Sequence, residues 1–132
     1  MNIDQAKNSS KAFHTAHRRC LEQRPVPGGV AFPIVPAIVC GVFSVELGLK
    51  TLILRAGGKP AGHDLAKLFG VLDQATQTAI IKASGVPDPQ FRSDLAGIAN
   101  AFVEWRYIYE HSSAYLNMEF LGKLADAVQG AL

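Results

Sequence analysis

Between Trp105 and His111 the chain reads WRYIYEH, an arginine, two tyrosines, a glutamate and a histidine within less than two helical turns. A guanidinium offers paired N–H donors that suit a phosphate. An imidazole exchanges protons near neutral pH. Arg106 could therefore hold a scissile phosphodiester while His111 moves the proton of a 2′-hydroxyl or of the leaving oxygen, which is metal-independent RNA cleavage. Five positions on a regular helix place the two groups about 140° apart, off a common face. Long side chains, or a helix that loosens at His111-Ser112-Ser113, bring both to one phosphate. One histidine does not easily act as base and acid on opposite sides of phosphorus, and a two-fold dimer would supply the second. The structural alternative pairs Arg106 with Glu110 one turn later, worth about 0.3 kcal/mol. The aromatics then fill the core and His111 closes the helix end. An arginine and a histidine at this spacing also arise readily by chance.

Other polar groups offer less. Glu46 sits within an apolar segment and needs a partner, because a lone buried carboxylate is very costly. Lys50, one turn on, and Arg106 are the candidates, either as a structural ion pair or as part of a site. His14, His17 and Cys20 recur every three residues in FHTAHRRC, a drifting helical stripe without a fourth ligand or a zinc spacing, so no metal and no cofactor is expected. The same helix carries Lys7, Lys11, Arg18 and Arg19, with Arg24 just beyond, a basic face that suits nucleic-acid phosphates. RAGGKPAGHD is glycine-rich but lacks the lysine-threonine ending of a phosphate loop and reads as a helix connection.

The elements that must position these groups are helical, since no stretch alternates like a half-buried strand. The first helix runs from about Asn2 to Gln23 and ends at RPVPGG. The second runs from Ile34 to Arg55, with Pro36 tolerated in its opening turn, and stops at Gly57-Gly58. Its apolar residues point in every direction, the pattern of a helix surrounded by others. A third begins at His63 or Asp64 and carries Leu65, Leu68, Phe69, Leu72, Ala79 and Ile80 before SGVPDP. Asp88-Pro89 starts the fourth, whose seam Phe91, Leu95, Ile98, Phe102, Trp105, Tyr109 alternates four and three residues apart. A fifth spans about Ser113 to Gln129. Short connections favour antiparallel neighbours, so the expected fold is all-α, an antiparallel up-and-down bundle of four to five helices.

At 132 residues this makes one domain, 1–132. Its 48% hydrophobic and 18% charged residues exclude a disordered chain and suggest that a homodimer interface hides part of the surface. A net charge of +2 gives no strong field for polyanions. Cys20 and Cys40 lack the spacing of a redox pair and read as reduced thiols. The apolar run Val30 to Val45 contains Pro33 and Pro36 and is too interrupted for a membrane span, and the polar start MNIDQAKNSS lacks a signal peptide's features. A cytoplasmic protein is expected.

Three segments, FSVELGLKTLIL, GHDLAKLFGVL and FVEWRYIYE, occur in this order, and as a trio the region from about Phe43 onward resembles a HEPN domain, the helical family named for nucleotide binding in higher eukaryotes and prokaryotes. The resemblance implies a four- or five-helix bundle, commonly homodimeric. Many members are metal-independent ribonucleases of toxin–antitoxin, phage-defence or RNA-processing systems, with an arginine and a histidine at the dimer seam; Arg106 and His111 match that pattern at its shortest spacing. Tyr107 departs from the small polar residue of many active members, and WRYIYE resembles a branch of non-catalytic binding or assembly modules. On that reading Glu46, Lys50, Tyr107, Tyr109 and Glu110 form a binding set for RNA or a nucleotide, and the implied protein partner is nucleotidyltransferase-like or an antitoxin.

Overall fold

The longest apolar run becomes the longest helix. In a computed structural model that describes residues 1–132, the order is α1 (Ile3–Cys20), β1 (Arg24–Val26), β2 (Gly29–Ala31), α2 (Ile34–Arg55), α3 (Leu65–Val71), α4 (Gln74–Ser84), α5 (Asp88–Ile98), α6 (Ala101–Arg106), a 3-10 turn (Ile108–Glu110) and α7 (Met118–Ala131). The protein is all-α apart from one small hairpin. Every residue of α2 from Ser44 to Thr51 is buried, because α1, α3, α6 and α7 all pack against this helix. It is long and apolar enough to cross a membrane by composition, yet most of its surface is covered by those neighbours.

Small residues let α1 and α7 approach α2 closely. Ala37, Gly41, Ser44 and Gly48 recur four, three and four positions apart, one stripe of the helix. A Cβ at Gly41 would lie 2.5 Å from His17 Nδ1, and one at Gly48 would overlap Val128 of α7. At the centre of the stripe two serines bond reciprocally: Ser10 Oγ donates to the Ser44 carbonyl at 2.7 Å, and Ser44 Oγ to the Ser10 carbonyl at 2.9 Å. Gln129 of α7, itself half-buried, then donates to Ser10 Oγ at 2.7 Å, so three helices share one polar junction. Each such bond adds about 1 kcal/mol, but leaving one buried group unpaired costs about 1–3 kcal/mol, so the junction fixes the helix register. The pairs Ser10/Ser44 and His17/Ala37 make α1 and α2 antiparallel. On the other side of α2, a core of 22 buried residues gathers Phe69, Phe91 and Phe120, whose rings meet at 5.2 and 5.3 Å.

Three of the expected helices are shorter or divided. The third breaks at Leu72-Asp73, where Asp73 accepts from the Thr76 N–H at 2.7 Å and caps α4. The fourth breaks around Asn100, stops at Arg106 and tightens into the 3-10 turn. The fifth begins at Met118 rather than Ser113, because Asn117 caps it through the Phe120 N–H. RPVPGG is half of a hairpin pairing Arg24 with Ala31 and Val26 with Gly29; its turn places Gly28 at φ +87°, a conformation that favours glycine. All six strand residues are exposed, so there was no inside-outside alternation to read.

Candidate functional site

Glu46 is 1% exposed and anchors a cluster of groups from three elements. Its Oε1 accepts from Lys50 Nζ at 2.8 Å, the expected partner one turn on. The second partner is His63 rather than Arg106: His63 Nδ1 lies 2.7 Å from the same oxygen. Glu46 Oε2 is buried without a hydrogen bond. Removing one member of such a buried pair is far more damaging than its net contribution suggests, because the other charge is stranded.

The backbone brings His63 back over α2. Gly62 turns at φ +80°, Asp64 caps α3 by accepting from the Lys67 N–H at 3.0 Å, and the Leu65 N–H donates to the Ala99 carbonyl at 3.0 Å. That last bond ties the loop to the α5–α6 junction. The His63 ring thereby sits 5.2 Å from the buried Phe102 ring of α6, which itself stacks on Phe43 of α2 at 4.9 Å. Arg106, one turn after Phe102, lays its guanidinium 4.8 Å from the same Phe102 centroid and 5.2 Å from Tyr107. Its Nη2 donates to the Tyr107 hydroxyl at 3.0 Å. Cation–π contacts of this kind hold the planar group in place while leaving its edge donors available.

Arg106 has no carboxylate partner; the Arg106–Glu110 pair expected on a continuous helix does not form, because the helix ends between them. Tyr107 is 41% and Tyr109 77% exposed, their rings 6.3 Å apart, so Tyr109 leaves the apolar seam that Phe91 to Phe102 follow into the core. Glu110 is exposed at the end of the 3-10 turn. His111 follows in extended backbone, exposed, and no hydrogen bond or ring contact joins it to Arg106. Glu46, Lys50 and His63 thus form one bonded cluster, His63 and Arg106 both contact the Phe102 ring, and Tyr107 bonds Arg106, while Tyr109, Glu110 and His111 are exposed. His63 is the member that sequence spacing missed; the signal was its place in GHDL, read only as a helix start.

The remaining polar groups lie elsewhere. His14 Nε2 meets Asp126 at 2.8 Å on the surface, and Arg18 joins the same carboxylate at 3.1 Å. His17 is buried, its Nδ1 donating to the Ala37 carbonyl at 2.7 Å, and desolvation holds its pKa below the ordinary value. Cys20 and Cys40 are free thiols, and no three His, Cys, Asp or Glu side chains converge as a metal site would require. A cleft of about 480 Å³ beside Leu52, Arg55, Leu72 and Thr76 shares no residue with the Phe102 cluster. No family model matches this chain, and no curated protein or solved structure matches it either.

Proposed function

We propose that this chain is a HEPN-like antiparallel helical bundle of the cytoplasm that binds RNA or a nucleotide through Arg106, without catalysis of its own. One observation carries the reading: an exposed guanidinium lies against two aromatic rings and pairs with no carboxylate, so donors beyond the one bonded to Tyr107 remain for a phosphate. The open faces of Tyr107 and Tyr109 beside it suit stacking of bases, the usual way single strands are held. Exposed Val103, Tyr107, Tyr109 and Tyr115 also supply apolar surface for a homodimer, or for a nucleotidyltransferase-like or antitoxin partner. Fluorescence anisotropy with labelled single-stranded RNA across a salt series tests it. Binding should weaken as salt rises and disappear in Arg106→Ala; affinity indifferent to salt and to that substitution refutes it.

A second reading, a metal-independent endoribonuclease using Arg106 and His111 across a dimer seam, draws support from the end of α6. Because the helix stops at Arg106, His111 is not held about 140° away on the same cylinder and sits in a short extended segment. RNA cleavage in EDTA that His111→Ala abolishes, with the fold intact, selects this reading over the first. Intact RNA, or cleavage unchanged in the variant, rejects it.

A further inference from the structure

His63 has an environment that a mere helix-start residue does not need. Its Nδ1 faces a carboxylate that is 1% exposed and already paired to Lys50, while its side chain is 52% exposed. An ionised carboxylate only accepts hydrogen bonds, so the neutral imidazole keeps its proton on Nδ1 and turns a bare Nε2 lone pair away from Glu46. Buried partners fix the ring tautomer in this way wherever an imidazole must present one defined nitrogen. A tilted contact with the Phe102 ring helps place the imidazole as well.

In that neutral form Nε2 receives a hydrogen bond and gives none, and Arg106 gives several but receives none. Both groups lean on the Phe102 ring. Their centroid distances of 5.2 and 4.8 Å put the guanidinium carbon within about 10 Å of the imidazole centre. A ligand bridging them needs an anion at one end and a hydroxyl or amine donor at the other. A separation up to that limit can be spanned by a phosphate and the group beside it, with a hydrogen bond of about 2.8–2.9 Å at each end. A ribonucleotide has that arrangement, since its 2′-hydroxyl adjoins the 3′-phosphate, and a deoxyribonucleotide lacks it.

We infer that His63 reads ribose: its Nε2 accepts a hydrogen bond from the 2′-hydroxyl of a ribonucleotide whose phosphate is held by Arg106. Glu46 is the positioning residue that fixes the ring, and Lys50 balances the carboxylate's charge. This rests on Arg106 as a phosphate-binding group.

The test compares matched fluorescein-labelled single strands, one of ribonucleotides and one of 2′-deoxyribonucleotides with uracil in place of thymine. The ribo strand should bind about threefold to tenfold more tightly, the worth of one hydrogen bond. In His63→Phe, which keeps an aromatic ring beside Phe102 and removes the acceptor, ribo affinity should fall to the deoxy value. Nitrogen-15 spectra of the wild-type protein should show the proton of neutral His63 on Nδ1, and Nε2 should shift when adenosine 3′-monophosphate is added but not its 2′-deoxy form; a preference confined to strands assigns the site to RNA rather than free nucleotides. Equal binding of both strands, lost in Arg106→Ala, removes the ribose inference and leaves phosphate binding standing. If neither strand binds, both the phosphate reading and the ribose inference fall.

Discussion

Replacing Gly41 by alanine should destabilise the protein, although alanine is normally the better helix residue. In an open helical position the change gains about 0.5–1 kcal/mol. Here the added methyl would lie 2.5 Å from His17 Nδ1 and 2.8 Å from Cε1. The ring cannot swing aside freely, since His17 is 1% exposed and bonded to the Ala37 carbonyl at 2.7 Å. Overpacking costs about 1–3 kcal/mol, and displacing the ring forfeits about 1 kcal/mol of buried hydrogen bond. The expected net loss is about 1–3 kcal/mol. In a His17→Ala background the obstruction is gone and Gly41→Ala should stabilise by about 0.5–1 kcal/mol. Urea unfolding of the four proteins in this cycle measures the coupling, expected at about 1.5–4 kcal/mol, with midpoints moving and slopes constant. Gly122→Ala in α7, where a methyl meets nothing within 4 Å, is the control and should stabilise in both backgrounds. A neutral or stabilising Gly41→Ala in the wild type, or a penalty that survives His17→Ala, refutes the close packing of α1 on α2.

The same histidine makes stability depend on acid: desolvation lowers its folded pKa, against the opposing pull of the Ala37 bond, so the unfolded chain binds the proton first. Its contribution is complete above the ordinary value of 6.5 and declines below it with a slope of at most about 1.4 kcal/mol per pH unit; urea midpoints of His17→Gln should lack that component. Lys50→Met should cost about 3 kcal/mol by stranding Glu46, and Glu46→Leu in the same chain should recover most of it, both read by urea unfolding. Asp73→Ala removes the α4 cap and should lower the melting temperature, whereas Asp73→Ser keeps an acceptor and should lower it less. Light scattering at working concentration should give a dimer, and a monomer would leave the exposed tyrosines without that explanation.

The ends of α2 were legible because Pro36 and Gly57-Gly58 punctuate a long, mostly apolar run. The divisions of the third and fourth helices were not, because their apolar residues keep helical spacing across the breaks: Leu72 and Ile80 are both buried, as are Ile98 and Phe102. Periodicity reports which side chains face the core, and a bent pair of helices buries the same ones. Asp73 and Asn117 were the signals available, each a side chain able to take a helix's first free N–H groups. At the site, Lys50 was found for Glu46 because helix geometry relates them locally. His63 escaped because its contact with Glu46 is made across a loop, where no periodicity applies. Arg106 lies on the ring of Phe102, four residues earlier in the chain.

The burial of α2 also sets an order of events during synthesis. This helix leaves the ribosome well before α7, whose Val128 and Gln129 complete its covering, so part of its apolar surface stays open until α7 is made. The reciprocal serine clasp can close as soon as α1 and α2 exist, folding them into a hairpin before the translocation machinery engages the exposed face. Nascent chains in which Ser10 and Ser44 are both alanine should therefore be retained by signal recognition particle for longer than the wild type.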